Sequence, residues 1–97
     1  MLRLPGKLTV DDAPAALAAL AQALRGEVGG ATATVDASGL LRFDSAALAV
    51  LLECQRLAQA AGQGFAVHGA PPKLAELARL YGLEGLLPLA VVPGDSH

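Results

Sequence analysis

The sequence predicts an α/β domain in which a mixed sheet of four to five strands carries its helices mainly on one face. Three observations predict it. Short Thr-, Val- and Phe-containing runs alternate with longer stretches whose leucines recur at helical spacing. The long stretches are bounded by Asp-Ser or Pro-Pro at their starts and by Gly at their ends. The resulting order is β-β-α-β-α-β-α with an optional last strand, and strands joined through helices cross over right-handedly, which puts the second and third helices on one side of the sheet.

In chain order, Met1–Leu4 and Leu8–Val10 read as short strands around a Pro5-Gly6 turn. Asp11 or Asp12 then caps a helix over about residues 13–24, where Pro14 is tolerable in the first turn and Gly26 is placed to end it. Leu17, Leu20 and Leu24, with Ala21 beside them, make the core stripe of that helix. The Thr-x-Thr-Val content of residues 31–36 reads as a strand, followed by a turn at Ser38-Gly39. Asp44-Ser45 directly precedes the apolar run Ala46–Leu52 and opens a second helix that reaches about Ala61 and closes at Gly62, with Leu48, Leu51, Leu52 and Leu57 too apolar for a free surface. Phe65–His68 is the next strand, Pro71-Pro72 opens a third helix to Tyr81 with Gly82 as its stop, and Leu89–Val92 is a candidate edge strand before the short Pro93–His97 end. Thr32, Thr34 and Gln63 supply the little polarity available to the uncovered sheet face, so the chain's apolarity points to burial by a partner or by a second copy of the chain.

Composition narrows the function classes. Ninety-seven residues make one domain, 1–97, long enough to bury a single core. Hydrophobic residues are 54 % but aromatics only 3 %, so the core is built from Leu, Val and Ala, and small side chains allow close helix-to-sheet approach. Net charge is -2, and the cations Arg3, Lys7, Arg25, Arg42, Arg56, Lys73 and Arg79 are scattered along the chain, which argues against a nucleic-acid groove. The single cysteine, Cys54, forms no internal disulfide and fits a reducing, cytoplasmic setting. Arg3 and Lys7 before the apolar residues 15–21 resemble the start of a secretory signal, but Asp11, Asp12 and Pro14 interrupt its apolar core, and cleavage would discard the first strand and helix. No apolar run approaches the roughly 20 residues that a spanning helix needs, so no direct membrane insertion is expected.

Catalytic readings are weak. Ser45, His68 and Asp44 include the residue types of a hydrolase triad, but Ser45 lies beside Asp44 as in an ordinary cap pair and no Gly-x-Ser-x-Gly elbow exists. Cys54, His68 and the terminal His97 are too few for a metal site, and Cys54 at i+3 from Leu51 is a packed side chain. Residues 26–30 are Gly-rich but lack the Lys-Ser/Thr that grips phosphate. Neither a catalytic residue nor a cofactor or metal is expected. What remains is the start of the second helix. Its first backbone N–H groups lack intrahelical partners, it follows a strand end, and Ala46, Ala47, Ala49 and Val50 give it a small, smooth face suited to close protein packing.

The Asp44-Ser45-Ala46-Ala47-Leu48 element resembles the Asp-Ser/Thr-Ser/Ala-Gly-Leu signature of the STAS family, the sulfate-transporter and anti-sigma-factor-antagonist domains. Residues 77–88, Leu-Ala-Arg-Leu-Tyr-Gly-Leu-Glu-Gly-Leu-Leu-Pro, are similar to the closing Leu-x-x-Leu-x-Gly-Leu-x-x-Leu-x-Pro of its small stand-alone members. The resemblance implies the STAS, anti-sigma-factor-antagonist-like fold and two functional branches. In one, the domain antagonises a kinase-like anti-sigma factor and is switched off by phosphorylation of a motif Ser, whose position here is Ala46. In the other, the second motif position is a functionally required Thr or Ser, matched by Ser45, and the third is commonly Ala, matched by Ala46, while Ala47 replaces the usual Gly. That branch implies a non-catalytic cytoplasmic subunit, peripheral at the inner membrane, that binds the ABC ATPase of a phospholipid transporter acting with its permease. The partner-binding residues expected on this reading are Asp44, Ser45, Ala46, Ala47 and Val50.

Overall fold

The computed structural model of the chain describes residues 2–25, 32–83, 85–87 and 89–91. The elements run β1 (Leu2–Arg3), β2 (Lys7–Leu8), α1 (Ala13–Arg25), β3 (Ala33–Asp36), β4 (Arg42–Phe43), α2 (Ser45–Ala60), β5 (Phe65–Ala70), α3 (Pro72–Leu80) and β6 (Leu89–Val91). The expected start at Met1, the stop at Gly26, the residues 26–31, Val92 and the end 93–97 with His97 lie outside the described residues.

A four-stranded sheet has the order β1-β3-β5-β6, and β2 and β4 form a separate two-stranded ladder. The α/β class stands, but where a mixed sheet is expected every described pairing is parallel. Helices are the cause: α1 lies between β1 and β3, α2 between β3 and β5, and α3 between β5 and β6, and crossovers of this kind return the chain in the same direction. Pro5-Gly6 therefore does not close a hairpin. It is a step between two ladders, with Leu4 donating to the Asp36 carbonyl before it and Leu41 and Arg42 both donating to the Gly6 carbonyl after it. Pro5, which has no N–H, is tolerated on this edge segment.

One face of the sheet is core. Ala33 and Val35 of β3 and Val67 of β5 are buried together with Leu20 and Leu24 of α1, Leu48, Leu51, Cys54 and Ala58 of α2, and Leu74 and Ala78 of α3. Leu17, Leu52 and Leu57 pack on this cluster from its margin. The side chains that alternate with them, Thr34, Asp36, Ala66 and His68, are half-buried or exposed, and the register pairs Thr34 with Ala66 and Asp36 with His68. Gln63 is the buried polar residue, placed in the turn out of α2 rather than on the open face.

The helix ends follow local chemistry. After α2, Gly62 adopts φ 76° and donates to Gln59, while Gln63 donates to Ala58. After α3, Gly82 adopts φ 73° and donates to Arg79, while Leu83 donates to Ala78. Both are the paired bonds of a Schellman stop, which needs the left-handed conformation that glycine adopts without a Cβ penalty.

Candidate partner-binding site at the start of α2

A tight return brings the chain from β3 to α2. Ser38 N–H donates to Asp36 Oδ1 at 2.9 Å, Ala37 N–H donates to the His68 carbonyl at 2.8 Å, and Leu40 N–H closes on the Ala37 carbonyl at 3.1 Å. Ala37 and Leu40 are buried, which fixes the turn to the core. The Ser38 bonds, and after them the nearby Arg3 and His68, hold the Asp36 carboxyl below its ordinary pKa. Gly69, at φ 69°, passes so close that a Cβ there would lie 2.9 Å from Ser38 Cβ.

Asp44 is the N-cap of α2. Its backbone is extended, its Oδ1 accepts from Ala46 N–H at 2.8 Å, and its Oδ2 accepts from Val10 N–H at 3.2 Å. One carboxylate thus caps the start of α2 and ties to it the loop between β2 and α1. That loop is ordered in its own right. Thr9 donates its N–H and its hydroxyl to Asp12 Oδ2 at 3.0 and 2.8 Å, while Asp12 N–H returns to the Thr9 carbonyl at 2.9 Å, and the bonds from Thr9 lower the Asp12 pKa, with a smaller contribution from Lys7. Asp11 or Asp12 is expected to cap α1; Asp12 directly precedes the helix and its carbonyl accepts from Ala16 N–H, but its side chain reaches back to Thr9.

Three of the expected site residues change role. Ser45 is the first residue of the helix, exposed, and not its cap. Ala47 and Val50 are core, 0 % and 2 % exposed, and form no outer face. The reason is helical period. Ala47, Leu48, Leu51, Cys54 and Ala58 lie along one stripe, and Val50, three residues from Ala47 and four from Cys54, widens it. The accessible start of α2 consists of Ser45 and Ala49, both exposed, with Ala46 and Asp44 half-buried between them and the loops. Beside it stand two large apolar side chains that the sequence reading passed over, Val10 at 68 % and Leu41 at 81 % exposure. Val10, expected at the end of a strand, lies in the turn after β2, and Leu41 follows the turn at Ser38-Gly39, outside any periodic run. Their one sequence signal is an apolar residue where a solvated loop would carry a polar one.

Little here supports bond-making chemistry. His68 is exposed on β5 and makes no hydrogen bond to Ser45 or Asp44, and no group of three His, Cys, Asp or Glu is placed to hold a metal among the described residues. Cys54 is fully buried, and burial, with a smaller push from Glu53, raises its thiol to about 11, so it stays protonated at neutral pH. No helix among the described residues is long and apolar enough to cross a membrane.

A parallel α/β domain with a capped helix start, small side chains and flanking exposed apolar residues has the features of a surface suited to protein packing. The chain belongs to the STAS family, since the family model described as "Mlab, STAS domain" matches residues 1–89. Its fold is similar to that of a solved anti-sigma-factor antagonist (STAS) domain protein from Planctomyces limnophilus, with TM-score 0.74 and 16 % identity over 97 % of this chain and 83 % of that one. No curated protein matches the sequence significantly.

Proposed function

We propose that this chain is a non-catalytic, MlaB-like STAS subunit that binds the ABC ATPase of a bacterial phospholipid transporter and supports its assembly or activity alongside the permease, in the cytoplasm at the inner membrane. The observation that carries the reading is the exposed hydroxyl of Ser45 at the first position of α2, directly after the Asp44 cap and before Ala46. This matches the motif form in which the second residue is a required Thr or Ser and the third an Ala. The family description over residues 1–89 supports the same branch. The contact face comprises Asp44, Ser45, Ala46 and Ala49 with Val10 and Leu41 beside them, while Ala47 and Val50 support it from the core.

Co-purification with the ATPase and ATP turnover test this. Ser45→Thr should keep both, and Ser45→Ala should weaken them with little change in melting temperature. Wild-type association and turnover in Ser45→Ala would leave Ser45 a plain helix residue.

The alternative is an antagonist of a kinase-like anti-sigma factor, favoured by the likeness to the Planctomyces domain. The residue at the expected phosphate-acceptor position is Ala46, which has no hydroxyl. Incubation with ATP and such a kinase should leave the intact mass unchanged, and Ala46→Ser should create a substrate. A stoichiometric gain of one phosphate on Ser45 would favour the alternative.

A further inference from the structure

The cations that look scattered in the sequence are not all scattered in space. Lys7, Arg42 and Lys73, three of the chain's seven Lys and Arg, line one concavity of about 580 Å³ together with Thr9, Leu41 and Phe43. We propose that this concavity, between the β2·β4 ladder and the first turn of α3, binds a phosphate group.

Four observations converge on it. Lys7 and Arg42 are direct cross-strand partners in the ladder, so their side chains share one side of it. Like charges so placed repel unless an anion lies between them. Among the described residues no carboxylate lines the concavity, although Asp12 is bonded to the lining residue Thr9, and the chain as a whole carries net charge -2. Arg42 and Lys73 form no ion pair with any described acid, and Lys7 has only Asp12, at 3.9 Å. Finally, α3 begins at this wall with Pro71 as an N-cap that supplies no side-chain bond, so the positive end of the helix is uncapped beside Lys73. A guanidinium and two ammonium groups match a phosphate's several acceptor oxygens, with Arg able to contact two of them at once. Leu41 and Phe43 give the apolar part of the wall, which suits an organic substituent on the phosphate. Three cations around one concavity are far fewer than a nucleic-acid track requires.

This inference does not rest on the ATPase reading, because the cations that carry it, Lys7, Arg42 and Lys73, are not among the residues of that contact face, and only Leu41 is shared. Pyrophosphate titrated into the full chain, followed by amide chemical shifts and melting temperature, should give saturable binding in the millimolar range or tighter and a raised melting temperature. Arg42→Ala and Lys73→Ala should each weaken it about tenfold or more, the double variant should show none, and Arg79→Ala, at the far end of α3, should bind as wild type. Co-sedimentation with phosphatidylglycerol–phosphatidylcholine vesicles, against phosphatidylcholine alone, identifies the source. Sedimentation that needs phosphatidylglycerol and is lost in the double variant assigns the site to a lipid headgroup, and pyrophosphate binding without sedimentation assigns it to a soluble phosphate. Binding that never saturates, or that Arg79→Ala weakens as much as Arg42→Ala, would overturn the proposal. Melting curves of the double variant confirm that it is folded, and ATPase co-purification of the same variant reports on the partner reading separately.

Discussion

Asp44 and Ser45 are adjacent and both are residue types that cap helix starts, yet their positions give them different roles. Asp44 accepts from Ala46 N–H and Val10 N–H, so Asp44→Ala should cost about 1 kcal/mol for the cap and lower the melting temperature by roughly 4 to 8 °C. Ser45 makes no side-chain bond to the helix, so Ser45→Ala should stay within roughly 0.5 kcal/mol of wild type. Thermal melts of the two variants check the contrast, and a large loss in Ser45→Ala would return the capping role to Ser45. The sequence shows that a cap pair stands here, but not which member caps, because both residue types serve. Cys54 gives a second prediction at this scale. Its buried thiol, raised to about 11, should resist an aromatic disulfide reagent at neutral pH in the native protein and react at once in denaturant. Rapid native labelling would place it outside the core.

Elements were legible in proportion to their length and punctuation. Helices α2 and α3 carry leucine stripes, begin at Asp44 and Pro71-Pro72 and stop at Gly62 and Gly82, and all of these are visible in the sequence. The β2·β4 ladder was not legible, because two-residue strands have no period to detect and their pairing is decided by tertiary packing. Strand β5 runs two residues past the expected end at His68, since Gly69, which resembles turn punctuation, instead lets the strand pass Ser38. Gly69→Ala should therefore be costly twice over, for its positive φ and for the 2.9 Å approach to Ser38, by roughly 2 kcal/mol or more. Chemical denaturation measures it, and a change under 0.5 kcal/mol would contradict so tight a passage. The turns also set the acid limit. Asp12 and Asp36 are held below their ordinary 3.8 by the Thr9 and Ser38 bonds, so their stabilisation is complete above that value and is lost as pH falls through the lower folded values. Between neutral pH and pH about 3, Asp12→Asn should lose less melting temperature than wild type. An equal loss would show that the carboxylate does not stabilise the turn.

At the scale of the whole molecule, the fold divides the small residues at the start of α2 between the core and the surface. Small residues at 46, 47, 49 and 50 look interchangeable in the sequence. The fold sends Ala47 and Val50 inward and leaves Ser45, Ala46 and Ala49 as the accessible part, with Val10 and Leu41 brought alongside by the Asp44 tie and the return from β3. Which alanines face out depends on the pose of α2 on the sheet, which no local pattern encodes. The division makes a sharp test of the central claim, that the start of α2 is a partner surface. Ala46→Glu puts a carboxylate near the positive end of the helix, where it favours folding, while burying that unpaired charge against a partner is strongly unfavourable. Val50→Asp puts the charge in the core. The decisive measurement is co-purification of the ATPase with each variant, alongside circular dichroism. The account predicts a folded Ala46→Glu that no longer retains the ATPase and a Val50→Asp that does not fold, whereas a folded Ala46→Glu that retains the ATPase as wild type does would contradict it.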